Sequence, residues 1–419
     1  MNSITARAAG PIIDERLANG LRVVIEPMHD ISSAAAGFMA EAGSRDEPPE
    51  WAGVSHFLEH MCFKGTRKRP WRQITIDFDN MGAYYNAFTS HEHTFYFGWV
   101  RRADIDRQIE LLADMLRPTL PQDEFDTEKK VVLEEIAMSD DDFDRHMFDL
   151  LHEKVFAGHG LAWPVLGYRE TVGNLTRHNM VDYHARYYSP ANVVLIVAGN
   201  VEPQAVLKAA AAATADWINV GKVPPRLPPA ELHTGKAVQV IERFKQQCVA
   251  YAVPTAPAGA GEEQTEAIAS ILGGENSRFF WNITQKGISP RSGVWGVTYA
   301  DCGFQLLYAF GEPDKVEQMA EAIQREAEKL QTGGIRPEEL QRFKNRRRTG
   351  LAVDGEAAYN RLIQMMQDID YHGHARTLDE RLAEVDAVTI ENLHEHLQRY
   401  PLTGEGYFVS VGPRQWPKI

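Results

Sequence analysis

Two imidazoles four residues apart, with a carboxylate between them, are the first place along this chain where side chains could do chemistry together: His56-Phe57-Leu58-Glu59-His60. On a helix of about 3.6 residues per turn, side chains at i and i+4 stand one above the other, so both rings can reach one divalent cation. Glu59 lies about 60° round the axis from His56, close enough to take a proton from a water at such a cation. Phe57, Leu58 and Met61 occupy the opposite side, so the polar face is not simply the wet side of a surface helix. The competing reading of the same five residues is a pair of hydrogen-bonded core histidines.

A catalytic zinc site needs a third protein ligand, carboxylate or imidazole, and keeps a fourth position for water. The helical run after Pro121 offers Glu128 and Glu135, seven residues and so almost two turns apart. They share a face with Phe125, Val131, Val132 and Ile136, with Leu133 off it, whereas Glu134 points about 100° away from Glu135. Carboxylates on an apolar face are costly unless they bind a cation or accept hydrogen bonds, which ranks Glu128 and Glu135 above their neighbour.

Groups this far apart in the chain can meet only in a folded scaffold. The 419 residues are 44% hydrophobic and 24% charged, which excludes a disordered or low-complexity chain and suggests two or three domains. Forty-four Lys and Arg against 58 Asp and Glu give a net charge of −14, which argues against a nucleic-acid surface. Three cysteines, Cys62, Cys248 and Cys302, are too few for a disulfide framework and fit a reducing compartment. Residues 1–10 show no apolar leader core and no window approaches the ~18 apolar residues of a spanning helix, so the expectation is a cytoplasmic protein without a membrane segment.

The Pro-rich run 223–229 can neither continue a helix nor pair as a central strand, and it divides the chain. The expected organisation is a first, metal-binding domain over 1–220, a linker over 221–232 and a second domain over 233–419. Apolar runs predict strands at 20–25, 34–40 and 192–198, and helical spacing predicts helices at 105–115, 124–138, 176–187 and 205–217. The second half repeats the plan, with strands near 237–240, 249–253 and 304–309, then helices at 314–330 and 337–349. The fold class that follows is α+β, as two similar, duplicated α/β-sandwich domains.

Ala42-Gly43-Ser44-Arg45-Asp46-Glu47 followed by Gly53-Val54-Ser55-His56-Phe57-Leu58-Glu59-His60-Met61-Cys62-Phe63-Lys64-Gly65-Thr66 resembles the inverzincin signature of the pitrilysin and mitochondrial processing peptidase family. Glu128 with Val131-Val132-Leu133-Glu134-Glu135 resembles its downstream segment, and the likeness runs on through 82–90, 166–167, 187–192 and 197–200. The resemblance implies one zinc ion held by His56, His60 and Glu135, Glu59 as general base, and Glu128 as a carboxylate behind the ligands. It also implies mostly antiparallel sheets with helices packed on them, and an edge strand through Asn86, Ala87 and Phe88 to which an extended peptide substrate adds.

In the second domain, Leu272-Gly273-Gly274-Glu275-Asn276-Ser277-Arg278-Phe279-Phe280 resembles the family's Gly-rich turn. Active members usually follow it with an Arg and, seven residues later, a Tyr that polarise the scissile carbonyl; Thr284 and Arg291 stand at those positions here. The resemblance therefore implies a zinc endopeptidase acting on short or unfolded peptides in an enclosed chamber, as the zinc-bearing subunit of a heterodimer with a homologous partner that lacks zinc. A homodimer is the alternative assembly. The alternative functions are a maturation protease for one peptide, such as the precursor of a peptide-derived redox cofactor like pyrroloquinoline quinone, and a non-catalytic assembly subunit.

Three further features read as structural. His91-Glu92-His93 offers two imidazoles on one face of a strand but no named third ligand. Arg342, Lys344, Arg346, Arg347 and Arg348 form a basic run on a predicted helix, read as a solvated or ion-paired face or a contact for an acidic partner. Cys62 points round the helix away from the histidines and is expected to be a packed thiol.

Overall fold

The computed structural model describes residues 11–219, 221 and 223–417. The first ten residues, where no leader core was expected, and Lys222 of the expected linker lie outside that range. The chain forms two compact units, each built round one sheet.

The sheet of the first unit contains β1 (Ile13–Arg16), β2 (Arg22–Pro27), β3 (Ser33–Ala40), β4 (Tyr84–Thr89), β5 (Thr94–Arg101) and β6 (Val193–Gly199). Its order is β1-β2-β6-β3-β5-β4, with β2 and β6 parallel and every other pair antiparallel. β6 reads Val-Val-Leu-Ile-Val-Ala-Gly and is buried along its whole length, because both faces of the sheet are covered. Val193, Leu195 and Val197 face one apolar cluster together with Phe57, Leu58 and Leu112. Val194, Ile196 and Ala198 face another with Leu362, Met365 and Ile369 of the helix Ala358–His372.

The second unit holds β7 (Gly235–Val240), β8 (Gln247–Pro254), β9 (Arg291–Thr298), β10 (Gly303–Gly311) and β11 (Tyr407–Gly412) in the order β7-β11-β8-β10-β9. β7 and β11 are parallel and the rest antiparallel. Strand for strand this repeats β2-β6-β3-β5-β4, so the duplicated α+β plan is present in both topology and pairing sense.

The units are not the two halves of the chain. The first takes residues 352–379 from the C-terminal half, and the second takes residues 139–162 from the N-terminal half, with a further boundary at Leu227 and Pro228 inside the Pro-rich run. The linear division at 220 and 233 therefore needs correcting. The helix Phe143–Val155 packs against β8 and β11, and Ala358–His372 packs against β3 and β6. Each apolar helix face goes to the sheet that buries it, whatever its position in the chain.

Ala358–His372 is tied down by more than apolar contact. Arg361 is 2% exposed and its Nε donates to Glu26 Oε2 of β2 at 2.6 Å, while its Nη1 donates to Gln364 Oε1 at 3.0 Å. Removing one partner of such a buried pair leaves the other charge desolvated, a loss of about 3–5 kcal/mol. Glu26→Ala is expected to lower the urea midpoint of unfolding by a corresponding amount, and an unchanged midpoint would show that the pair does not hold this helix.

Candidate metal centre

The helix Val54–Cys62 starts at Gly53, whose φ of 95° is in the left-handed region that glycine tolerates best. A Cβ there would lie 2.6 Å from the carbonyl oxygen of Leu166, so the close approach also requires glycine. Buried Glu47 satisfies two of the free N–H groups at this helix start, accepting from Gly53 N and Ser55 N at 2.7 Å each. Val54, Phe57, Leu58, Met61 and Cys62 are fully buried, which leaves His56, Glu59 and His60 on the remaining, half-buried face.

The second site element is the helix Gln122–Ser139. Its buried residues are Phe125, Glu128, Val132 and Ile136, a stripe at helical spacing. Val131, read from the sequence as part of that face, is 37% exposed instead, and Leu133 packs partly against the core. Phe125 stacks on Phe57 with centroids 4.7 Å apart, which fixes this helix against the histidine helix.

The consequence is convergence. Glu135 Oε2 lies 3.8 Å from His56 Nε2 and 3.6 Å from His60 Nε2, and the three side chains offer ligand atoms that all lie within 4.8 Å of one another. Tetrahedral zinc with bonds of about 2.0–2.1 Å separates its ligand atoms by roughly 3.3–3.5 Å, so the two Glu135–imidazole separations lie within a few tenths of an ångström of that geometry. Two neutral imidazoles and one carboxylate also match the chemistry that zinc prefers.

Behind the ligands, Glu128 Oε2 is 3.2 Å from His60 Nδ1, and its other oxygen takes Lys64 Nζ at 2.6 Å. A carboxylate at Nδ1 holds the proton on that nitrogen and turns the lone pair of Nε2 towards Glu135. Glu59 stands between the two histidines and accepts from Thr89 Oγ1 at 2.6 Å. Burial pushes its carboxyl above the usual range, opposed by the Thr89 hydrogen bond and the neighbouring His60. Neither Lys64 nor Thr89 was singled out from sequence. Both lie in the stretches that carry the resemblance, but only the folded geometry joins them to Glu128 and Glu59.

Thr89 ends β4, which pairs with β5 alone and leaves its other edge unpaired among the described residues. Asn86 is exposed, Ala87 is 8% exposed, and the Phe88 ring packs edge-on to Phe95 and Phe97. The Phe88 side chain is thus committed to packing, and what this stretch can offer a ligand is its main chain and Asn86.

Two of the features set aside from sequence, the 91–93 segment and Cys62, are structural here too. Glu92 is buried against Arg45 at 2.6 Å, and His93 Nδ1 meets Asp370 at 2.9 Å. Cys62 is fully buried and its thiol is pushed up to about 12 by burial. In the second unit Thr284 Oγ1 lies 3.2 Å from Ser292 Oγ, and Arg291 pairs with Asp144 while lying 3.9 Å over the Phe310 ring. No helix of the described residues is long and apolar enough to cross a membrane.

Comparison with known proteins agrees with this geometry. Residues 22–169 match the family described as Insulinase (Peptidase family M16), and residues 174–347 match that described as Peptidase M16 inactive domain. An uncharacterized zinc protease, YmxG, of Bacillus subtilis is 32% identical over 90% of this chain and 92% of its own length. The beta subunit of the mitochondrial-processing peptidase of Pongo abelii is 29% identical over 95% of this chain and 83% of its own. A protease from Helicobacter pylori of known crystal structure superimposes with a TM-score of 0.90 at 22% identity, covering 96% of this chain and 99% of that one, which bears on fold. The two matched segments, the full-length relatives and the His-His-Glu cluster together make this chain a member of peptidase family M16, the pitrilysin and processing-peptidase family.

Proposed function

We propose that this chain is a zinc endopeptidase that hydrolyses short or unfolded peptides held in extended form along β4. The observation that carries the reading is the meeting of His56 Nε2, His60 Nε2 and Glu135 with Glu59 alongside them. These three ligands would hold one zinc ion, which when bound lowers the pKa of water towards ~7 and polarises a carbonyl.

The chain's own residues supply the proton chemistry. Thr89 holds Glu59 by Oε2, and Oε1 carries no hydrogen bond among the described residues. Glu59 Oε1 would accept a proton from the attacking water and then deliver it to the leaving amine. Main-chain groups of Asn86, Ala87 and Phe88 would pair with the substrate as an added strand, giving affinity with little side-chain selectivity. Because Thr89 terminates that strand, the same element binds substrate and orients the base.

A heterodimer with a homologous chain lacking zinc fits the absence of the Arg and Tyr at positions 284 and 291, and a homodimer is the simpler assembly. The three cysteines, buried and outside any disulfide among the described residues, support a reducing compartment such as the cytoplasm.

Three measurements test the reading. Glu59→Gln is expected to keep zinc, read by metal analysis, while turnover of a quenched peptide library falls by about 10²–10⁴. Normal cleavage by that variant would overturn the assignment of the base. Chelation is expected to abolish hydrolysis and added zinc to restore it; activity that survives complete metal removal would remove zinc from the mechanism. Glu128→Gln should weaken zinc binding about 10–100-fold in competition with a chromophoric chelator, because it loosens His60 without deleting a ligand. Unchanged affinity would mean that Glu128 does not orient the imidazole.

A further inference from the structure

The second unit contains a cavity of about 570 Å³ that the peptide-hydrolysis chemistry does not use. It lies where the 272–280 turn meets the helix Pro337–Asp354. Arg278, Trp281, Arg336, Glu339, Arg342 and Arg346 are among the residues that line it. Four guanidiniums against the two carboxylates of Glu275 and Glu339 leave it positive, in a chain whose net charge is −14.

Two of the four arginines are already engaged. Arg278 binds Glu339 through Nε and Nη2 at 2.9 and 2.8 Å, and Arg336 Nη2 binds the same carboxylate at 2.7 Å. Arg342 and Arg346 differ. They are exposed, one turn apart on one helix face, with Cβ atoms about 5–6 Å apart, and neither forms an ion pair among the described residues. Their neighbours in the same basic run are paired: Lys344 with the Asp386 carbonyl, Arg347 with Glu263, and Arg348 with Asp386. The two arginines of that run left without an ion pair are the two of its members that line the cavity.

Like charges at this spacing repel, and a bound anion would relieve that repulsion. Planar guanidinium forks suit a carboxylate, which each can take bidentately. The remainder of the wall is not anion chemistry. Trp281 is 55% exposed at the rim and Phe343 is 4% exposed at the floor, so apolar surface stands ready beside the charge. A bare inorganic anion would leave that surface unused, and a cavity of this volume suits a few side chains rather than a protein–protein interface.

We propose that this cavity binds an acidic residue, Asp or Glu, of a peptide substrate, with an adjacent apolar side chain against Trp281. The naming of the occupant as substrate rests on the peptidase reading, but the site itself does not.

Binding therefore decides it without turnover. Two labelled peptides, one carrying Glu-Phe and the other Gln-Phe at the same place, are titrated by fluorescence anisotropy into the full-length Glu59→Gln chain. The Glu peptide is expected to bind about tenfold or more tightly, and more weakly at higher salt. That advantage should vanish in a chain also carrying Arg342→Gln and Arg346→Gln, both at exposed positions, while Trp281→Ala should weaken both peptides alike. Equal binding of the two peptides, or an advantage that survives the double substitution, would overturn the proposal. So would displacement of both peptides to the same degree by inorganic phosphate. The Glu preference in this variant, together with no peptide hydrolysis by the zinc-loaded chain that keeps Glu59, would sink the peptidase reading and spare the site.

Discussion

Everything chemical in this chain depends on one registration: the helix bearing His56 and His60 must face the helix bearing Glu135, 75 positions further along, with the right turn of each opposed. The Phe57–Phe125 stack sets the distance between the helices, and Glu128, held between His60 and Lys64, sets their rotation. A one-residue shift of the second helix would turn Glu135 through about 100° and put Glu134 or Ile136 in its place. The apolar stripe of Phe125, Val132 and Ile136 opposes such a shift, since it would also lift buried side chains into water.

Much of this was legible in the sequence because the signals were periodic. The helix expected at 105–115 has those bounds in the structure, and β6 differs by one residue from the strand expected at 192–198. The two imidazoles could be placed on one face from spacing alone, and Glu128 and Glu135 stood out as carboxylates on an apolar face. What spacing could not supply was contact between distant segments. Thr89 reaching Glu59, Lys64 reaching Glu128 and Asp370 reaching His93 are products of sheet pairing and helix docking, which no local pattern encodes. Val131 misled because a β-branched apolar residue on the shoulder of a stripe reads like one within it.

The duplicated plan shows how one scaffold serves two purposes. In the first unit, the helix that follows β3 meets the second long helix after β5 through imidazoles and carboxylates. In the second unit, the corresponding helices Glu262–Gly273 and Pro337–Asp354 meet through Arg347, whose Nη2 lies 2.7 Å from Glu263 Oε1. A guanidinium supplies there the positive charge that the first unit's donor set would take from an ion. The second junction is closed by its own side chains, in keeping with its match to a domain described as inactive.

The reciprocal trade of helices between the halves constrains how the chain can be divided. A cut at the Pro-rich run would leave the N-terminal piece with Phe143–Val155 and no β8 and β11 for it to pack on, and would strip Val24, Ala35, Met39 and Ile196 of the cover supplied by Ala358–His372. The C-terminal piece would suffer the converse loss. Each fragment would expose a greasy sheet face and carry a stray amphipathic rod, so neither half is a self-sufficient folding cassette, and shuffling or truncation at that seam would favour aggregation over a folded fragment.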